Sequence, residues 1–356
     1  MKRCAIAVLL TLFAGVACNE IERPEEKMVP ISFSAAVSDG IATRATGMIG
    51  DDASLQAGGF GVFGCYTGLH NYSESDANSS FMYNQELEWV SGDAHWEYNP
   101  VKYWPGEEGH KVSFFAYAPY SECDGTGCIP SCVRYQETAD PWVMYRIAED
   151  PAQQVDLLYA TPLLDQTKMA VNERLEFTFK HALACVGDKI TMKLTESLAQ
   201  KLDNYAELTI NSVKIDYKNL TNKARLVLKC SNMPEWREIV SGQLTVSRTL
   251  TIASPTLSGA TKTTISKGKG LFYIPLQVAG TEAPVAEVTL NYTVKILGTG
   301  TVMSGTGTGT FALSLDTMEG KKQAINLNLG ENIDMRHLIY QLDNDPADEP
   351  SYAPKF

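Results

Sequence analysis

The chain has 356 residues, 44% of them hydrophobic, and a formal net charge of −12 with no block of basic residues. That balance excludes nucleic acid as a partner, because neutralising phosphates takes clustered Lys and Arg. The length leaves room for two ordinary domains beyond the N-terminal leader. Past that leader no apolar stretch approaches the roughly 20 residues of a membrane helix.

In chain order the leader comes first. Lys2 and Arg3 precede an apolar run from Ala5 to Val16, followed by Ala17-Cys18. A basic start, a short apolar stretch and a small residue at the cut mark residues 1–17 as an export signal. A cysteine directly after the cut is the lipid acceptor of a bacterial lipoprotein, so Cys18 is expected to be diacylated, palmitate included, and tethered to a membrane. Two acyl chains suffice for stable anchoring. Gly15 stands where a lipoprotein leader usually has a large aliphatic residue, and plain secretion is the alternative. Residues 18–30 hold Glu20, Glu22, Glu25 and Glu26 with Pro24 and Pro30. So polar a segment buries too little to order itself and reads as an acidic tether.

Beyond the tether nearly every periodic segment reads as strand. The candidates in the first half are 31–35, 60–66, 80–89, 111–117, 175–179 and 184–194. In the second half they are 206–217, 224–230, 243–252, 271–277, 287–297, 310–315 and 323–329. Strands at short intervals, separated by Gly, Asn, Asp, Ser and Thr clusters, predict an all-β chain of sandwich type rather than a βαβ one. One helical patch is expected from Leu194 to Asn204. The boundaries expected are an N-terminal domain over 31–183, a C-terminal domain over 184–333 and a tail over 334–356.

Of eight cysteines, Cys65, Cys123, Cys128, Cys132, Cys185 and Cys230 lie beyond the leader. Cys123, Cys128 and Cys132 form a C-x4-C-x3-C cluster without a histidine. A zinc site would want a fourth ligand and tighter pairs, so a loop-stapling disulfide is the expectation for an exported chain. Cys185 sits in an apolar run and reads as a buried small hydrophobe. The Gly-Thr run from Gly298 to Thr310 lacks the strand-to-helix context of a phosphate cradle and reads as a hairpin loop or a Gly-weakened edge.

No catalytic constellation is visible, and no cofactor is expected. G-x-S-x-G and H-E-x-x-H are absent, and the five histidines are scattered. His181 has no nucleophile beside it and is expected to be half-buried and hydrogen-bonded to backbone where two domains meet. Trp89, Trp96, Tyr98, Tyr103 and Trp104 make either a sugar-stacking surface or, as is commoner for aromatics at strand spacing, core and cross-strand pairs.

Several phrases, in order, carry a resemblance. They are Ile31-Ser32-Phe33-Ser34-Ala35, Thr43-Arg44-Ala45, Phe60-Gly61-Val62-Phe63-Gly64 and Phe81-Met82-Tyr83-Asn84-Gln85. After them come Trp96-Glu97-Tyr98, Lys102-Tyr103-Trp104-Pro105 and the run from Val112 to Tyr120. Asp156-Leu157-Leu158-Tyr159-Ala160 and Phe179-Lys180-His181-Ala182-Leu183 complete the set. The chain resembles the fimbrillin family, the lipoprotein pilins of the Bacteroides group, most specifically between residues 30 and 185.

That resemblance implies two transthyretin-like, Greek-key β-sandwiches. It also implies delivery to the outer membrane as a surface-exposed lipoprotein, removal of the N-terminal piece by an Arg-specific protease, and growth of a fimbrium by strand exchange between subunits. Carried onto this chain, Arg44-Ala45 is the processing bond. Ile31, Phe33 and Ala35 are the inward residues of the displaced strand. The donor strand is expected within His337–Leu342, with Leu338, Tyr340 and Leu342 on one face, although this segment has the alternative of completing its own domain. The acidic run after Cys18 resembles the surface-export signal of that group, and Asp316-Thr317-Met318 resembles its O-glycan acceptor, with Thr317 as the site. The expected partners are other fimbrial subunits, the outer membrane before maturation, and host or bacterial surface ligands. The alternative is a surface lipoprotein that binds glycans or host ligands and never polymerises.

Overall fold

A computed structural model describes residues 28–38, 49–75, 79–122, 132–134, 140–170, 172–229, 231, 233–238, 242–250, 252–257, 261–267, 270–313, 315, 322–330 and 339–341. The first half runs β1 (Phe33–Val37), α1 (Asp52–Gly58), β2 (Phe60–Gly68), β3 (Met82–Val90), β4 (His95–Glu97), β5 (Lys111–Ala118), β6 (Cys132–Arg134), β7 (Trp142–Arg146), β8 (Leu158–Ala160), β9 (Leu163–Gln166) and β10 (Leu175–His181). After the junction come β11 (Ala184–Leu194), α2 (Glu196–Leu202), β12 (Ala206–Thr221), β13 (Lys223–Val227), β14 (Glu235–Glu238), β15 (Gln243–Leu250) and β16 (Thr256–Leu257). The chain continues through β17 (Thr263–Lys267), β18 (Leu271–Tyr273), β19 (Val285–Ile296), β20 (Val302–Ala312), β21 (Lys322–Leu329) and β22 (Ile339–Gln341). The protein is all-β, as its periodicity predicts, and α2 falls inside the expected helical patch, capped by Thr195, whose side chain accepts from Leu198 N–H.

The first half is dominated by an eight-stranded sheet of order β1-β10-β8-β5-β2-β3-β4, with β9 beside β5. Its central strands are apolar on both faces: β2 is buried over six consecutive residues and β5 over seven. One face, with Phe60, Val62, Phe114, Ala116, Phe177 and Phe179, forms a core closed by Leu55 of α1 and by Trp96 and Trp104. The other, with Phe63, Cys65, Phe115, Tyr117 and Tyr159, runs without a break into the core of the second half.

The second half contributes a sheet of order β17-β11-β21-β22, with β18 beside β11, and one of order β15-β12-β19-β20, with β16 beside β12. Strand β12 alternates buried and exposed residues through Leu208, Ile210, Val213, Ile215 and Tyr217, the pattern of a sheet with one wet face. A further sheet, β14-β13-β7-β6, takes strands from both halves. At this seam Gln154 Oε1 accepts from Phe272 N–H at 2.9 Å, Trp236 Nε1 donates to the Ala182 carbonyl at 3.1 Å, and the Arg225 guanidinium lies 5.3 Å from the Trp142 ring centre.

The glycines of the F-G-V-F-G phrase have a packing reason. A Cβ on Gly61 would sit 2.4 Å from the ring of Tyr117, its register partner on β5. The bare backbone lets that ring cross β2, so that its hydroxyl donates to Asn84 Oδ1 on β3 at 2.8 Å.

Several expectations are corrected in detail. The run 310–315 is not a separate strand but the end of β20, which begins at Val302; the Gly-Thr run takes both expected forms, a turn after β19 at its start and a glycine-containing sheet edge from Val302 on. The strands expected over 224–230, 243–252 and 271–277 end earlier, at Val227, Leu250 and Tyr273. His181 is buried rather than half-buried, at 7% exposed, and a carboxylate is among its partners: Nδ1 lies 2.6 Å from Oδ2 of the fully buried Asp156. A buried imidazole and a buried carboxylate satisfy each other where neither meets water.

Candidate strand-exchange site

Strand β1 lies at the end of the eight-stranded sheet and pairs only with β10 among the described residues, parallel, from Phe33 opposite Leu175 to Val37 opposite Phe179. Period-two burial explains its seat. Val29, Ile31 and Phe33 are buried and Ala35 and Val37 pack half-buried against the same core, while between them Pro30 is exposed and Ser32, Ser34 and Ala36 are half-buried outside that core. Phe33 stacks on Phe177 at 5.6 Å and meets Phe114 and Tyr98 edge-on at 5.4 and 5.8 Å. Burying such a side chain is worth roughly 1.5–3 kcal/mol, so the segment holds on by a few apolar side chains rather than by a wide ladder.

Besides its backbone ladder with β10, polar fastenings sit at the two ends. At the start, Ile31 N–H donates to the Lys102 carbonyl and Trp104 N–H to the Val29 carbonyl, each at 2.9 Å. The Tyr98 hydroxyl donates to the Ile31 carbonyl at 2.7 Å. Burial first, and the neighbouring Tyr103 after it, push the Tyr98 phenol up to about 12 against a hydrogen bond from the Lys102 backbone, so it holds its proton at neutral pH. At the far end Val37 N–H donates to Asp52 Oδ1 at 2.9 Å and Ser38 N–H to the Phe179 carbonyl at 2.8 Å. The expected inward residues Ile31, Phe33 and Ala35 are therefore together in one groove. Sequence reasoning did not single out Val29, Val37, Asp52 or the fastening role of Tyr98, although Tyr98 lies in a quoted phrase.

At the other end of the chain, β22 pairs antiparallel with β21, with Tyr340 opposite Leu327, and forms the edge of that sheet. Of the expected donor residues, Tyr340 thus has its backbone in β22, while Leu338 and Leu342 lie outside the described residues. So do Cys18, Arg44, Ala45, Cys123, Cys128 and Thr317. Cys132 opens β6, with a side chain outside the description.

The aromatic group divides. Trp96 packs 4.6 Å from Phe60 and Trp104 6.2 Å from Phe114, both buried in the core, and Trp89 pairs across strands with Trp96 at 5.3 Å. Tyr103, 42% exposed, is the one of the five that faces solvent. Cys185 is buried as expected. Cys65 is also buried, 3.5 Å from Ser79 Oγ, and burial pushes its thiol up to about 11.

The fimbrillin-like family model matches residues 43–339. The chain belongs to the fimbrillin-like family. A fimbrial protein from Bacteroides vulgatus is similar at a TM-score of 0.64 and 20% sequence identity, over 88% of this chain and 98% of that one. A candidate cell adhesion protein from Parabacteroides distasonis is similar over 88% of this chain and 96% of its own, at 9% identity and a TM-score of 0.45. The first of these supports a shared fold. No curated protein matches the sequence. Family membership carries a structural, fimbrial role at the cell surface. In this fimbrillin-like chain the match begins one residue before Arg44, so β1 lies outside it.

Proposed function

We propose that this chain is a fimbrial subunit delivered as a lipoprotein on Cys18, cut between Arg44 and Ala45, and joined to its neighbours by strand exchange. The observation that carries the reading is β1 itself. It is an edge strand, N-terminal to Arg44, whose buried side chains complete a core that the rest of the chain supplies. A cut after Arg44 separates β1 while keeping Ile49 and Leu55, which pack on the same core, with the subunit. What remains is an apolar groove beside the unpaired backbone of β10, a strong template for an added strand.

The segment from His337 to Leu342 is the proposed donor. Leu338, Tyr340 and Leu342 have the same two-residue spacing as Ile31, Phe33 and Ala35, so three side chains enter three neighbouring seats. Tyr340 would take the aromatic seat of Phe33. Among the described residues Ile339–Gln341 of this segment pair with β21, and donation to a neighbour requires that pairing to open.

Digestion of the chain with an Arg-specific protease tests this. The expected result is a subunit starting at Ala45 that forms concentration-dependent oligomers, and loses them when residues 336–356 are deleted. A clean cut at Arg44 that yields only monomers, or oligomers indifferent to the deletion, would overturn strand exchange. The N-terminal residue of the protein isolated from cells tests maturation: lipidated Cys18 is expected before the cut and Ala45 in assembled material.

A further inference from the structure

Strand β20 is the long edge of the β15-β12-β19-β20 sheet; among the described residues only β19 is hydrogen-bonded to it, and the short strand β22 comes close to it without pairing. Its ladder with β19 runs through eleven register pairs, from Lys295 opposite Val302 to Val285 opposite Ala312, with no bulge. Hydrogen bonds flanking that ladder, Ile296 N–H to the Thr301 carbonyl and Leu313 N–H to the Pro284 carbonyl, set its phase. Odd-numbered residues of β20 bond to β19; even-numbered ones, Val302, Ser304, Thr306, Thr308, Thr310 and Ala312, aim N–H and C=O away from β19, at the sheet edge. The same alternation sends their side chains to the wet face, while Gly305 tucks under Tyr292, whose hydroxyl a Cβ there would strike at 2.2 Å.

Edge strands in soluble proteins are ordinarily blunted by charge, proline or a bulge. The opposite edge of this sheet obeys: β15 carries Arg248, and its register shifts between Tyr217 and Leu220 of β12. Strand β20 has none of these devices. It is also self-complementary about Gly307. In an antiparallel pairing of two copies Thr306 meets Thr308, Gly305 meets Gly309, Ser304 meets Thr310, Met303 meets Phe311 and Val302 meets Ala312. Each meeting joins like with like, hydroxyl with hydroxyl and apolar with apolar, and facing Thr pairs are favourable. All even-numbered pairs are then of the hydrogen-bonded kind.

Charge does not oppose the contact, although each copy is net −12. Strand β20 itself carries no charge, and two acids of its sheet are matched within the copy, Glu287 by Lys218 and Glu207 by Lys295. Val302 and Met303, 59% and 46% exposed, would be covered.

We propose that two copies of this chain associate side by side through β20, antiparallel about Gly307, into one continuous sheet. This contact is separate from the β1 groove and does not depend on strand exchange.

Sedimentation of the protein as isolated from cells, with amide hydrogen exchange at low and high concentration, tests it. Thr308→Pro removes an N–H that faces the edge and none that bonds to β19. With two such bonds lost per symmetric pair, the dimer is expected to weaken roughly a hundredfold. Thr306→Lys, which sets two like charges diagonally across the two-fold axis, is expected to do the same if the proline variant fails to fold. Amides of Ser304, Thr306, Thr308 and Thr310 are expected to gain protection as concentration rises, while those of Gly305, Gly307 and Gly309 stay protected throughout. A monomer at every concentration, a dimer that both variants leave unchanged, or even-numbered amides already protected when dilute because the chain's own tail covers them would each overturn the proposal.

Discussion

Tyr98 decides how firmly the N-terminal segment is fastened. Its hydroxyl holds the Ile31 carbonyl, and its ring closes one side of the Phe33 seat. The phenol's proton is bound more tightly in the fold than in the unfolded chain, about 12 against the ordinary 10.0. The stabilisation is therefore full below about pH 10 and lost as pH rises through about 12. Tyr98→Phe keeps the ring and removes the donor, so it is expected to cost about 1 kcal/mol of stability at neutral pH. Denaturant titrations across the alkaline range should show the wild type losing its advantage over the variant as the phenol ionises. An unchanged gap at high pH would remove Tyr98 as the fastening.

At the scale of elements, β1 behaves as a ligand of the rest of the domain. It is short, lies at a sheet edge and contributes side chains rather than a wide ladder. A peptide of residues 28–38 is therefore expected to rebind the chain after the cut at Arg44 and to block its oligomerisation. The same peptide with Phe33→Ala, which empties a seat lined by Phe114 and Phe177, is expected to bind at least roughly a hundredfold more weakly. Titration calorimetry measures both, and equal affinities would mean that backbone pairing alone holds β1. Strand β20 is the contrasting edge: regular and glycine-containing, it offers backbone rather than pockets.

For the whole molecule, the two halves are coupled by a continuous core and a shared sheet. Gln154, 1% exposed, sits across that seam, donating to the Ala148 carbonyl at 3.2 Å while accepting from Phe272 N–H. Gln154→Leu fills the same space and leaves a buried N–H without its acceptor. The expected loss is about 1–3 kcal/mol, read as a lower urea midpoint. If the halves unfold as separate units, the variant is expected to lower the transition of the half containing β18 as well as that of its own. A midpoint equal to wild type would mean that the seam contributes nothing through this contact.

Period-two alternation made most strands legible, because a half-buried strand must turn apolar side chains to one side. Strands β10, β12 and β19 were visible in the sequence for that reason, as were the inward residues Ile31 and Phe33, whereas β2, β5 and β11, buried on both faces, showed as short apolar runs. Short strands such as β4, β8, β14 and β16 were not, since two to four residues carry no readable period. Sequence by itself determined the all-β class, the family resemblance and which residues of β1 face inward. Tertiary structure alone decided that β1 lies parallel to β10 and that Tyr98 fastens it. It also decided that His181 meets Asp156, that β7 joins β13 across the halves, and that the Gly-Thr run is a paired edge. Those are choices of partner, and partners far apart in the chain are selected by packing and hydrogen-bond satisfaction over the whole fold, which no local pattern of residues encodes.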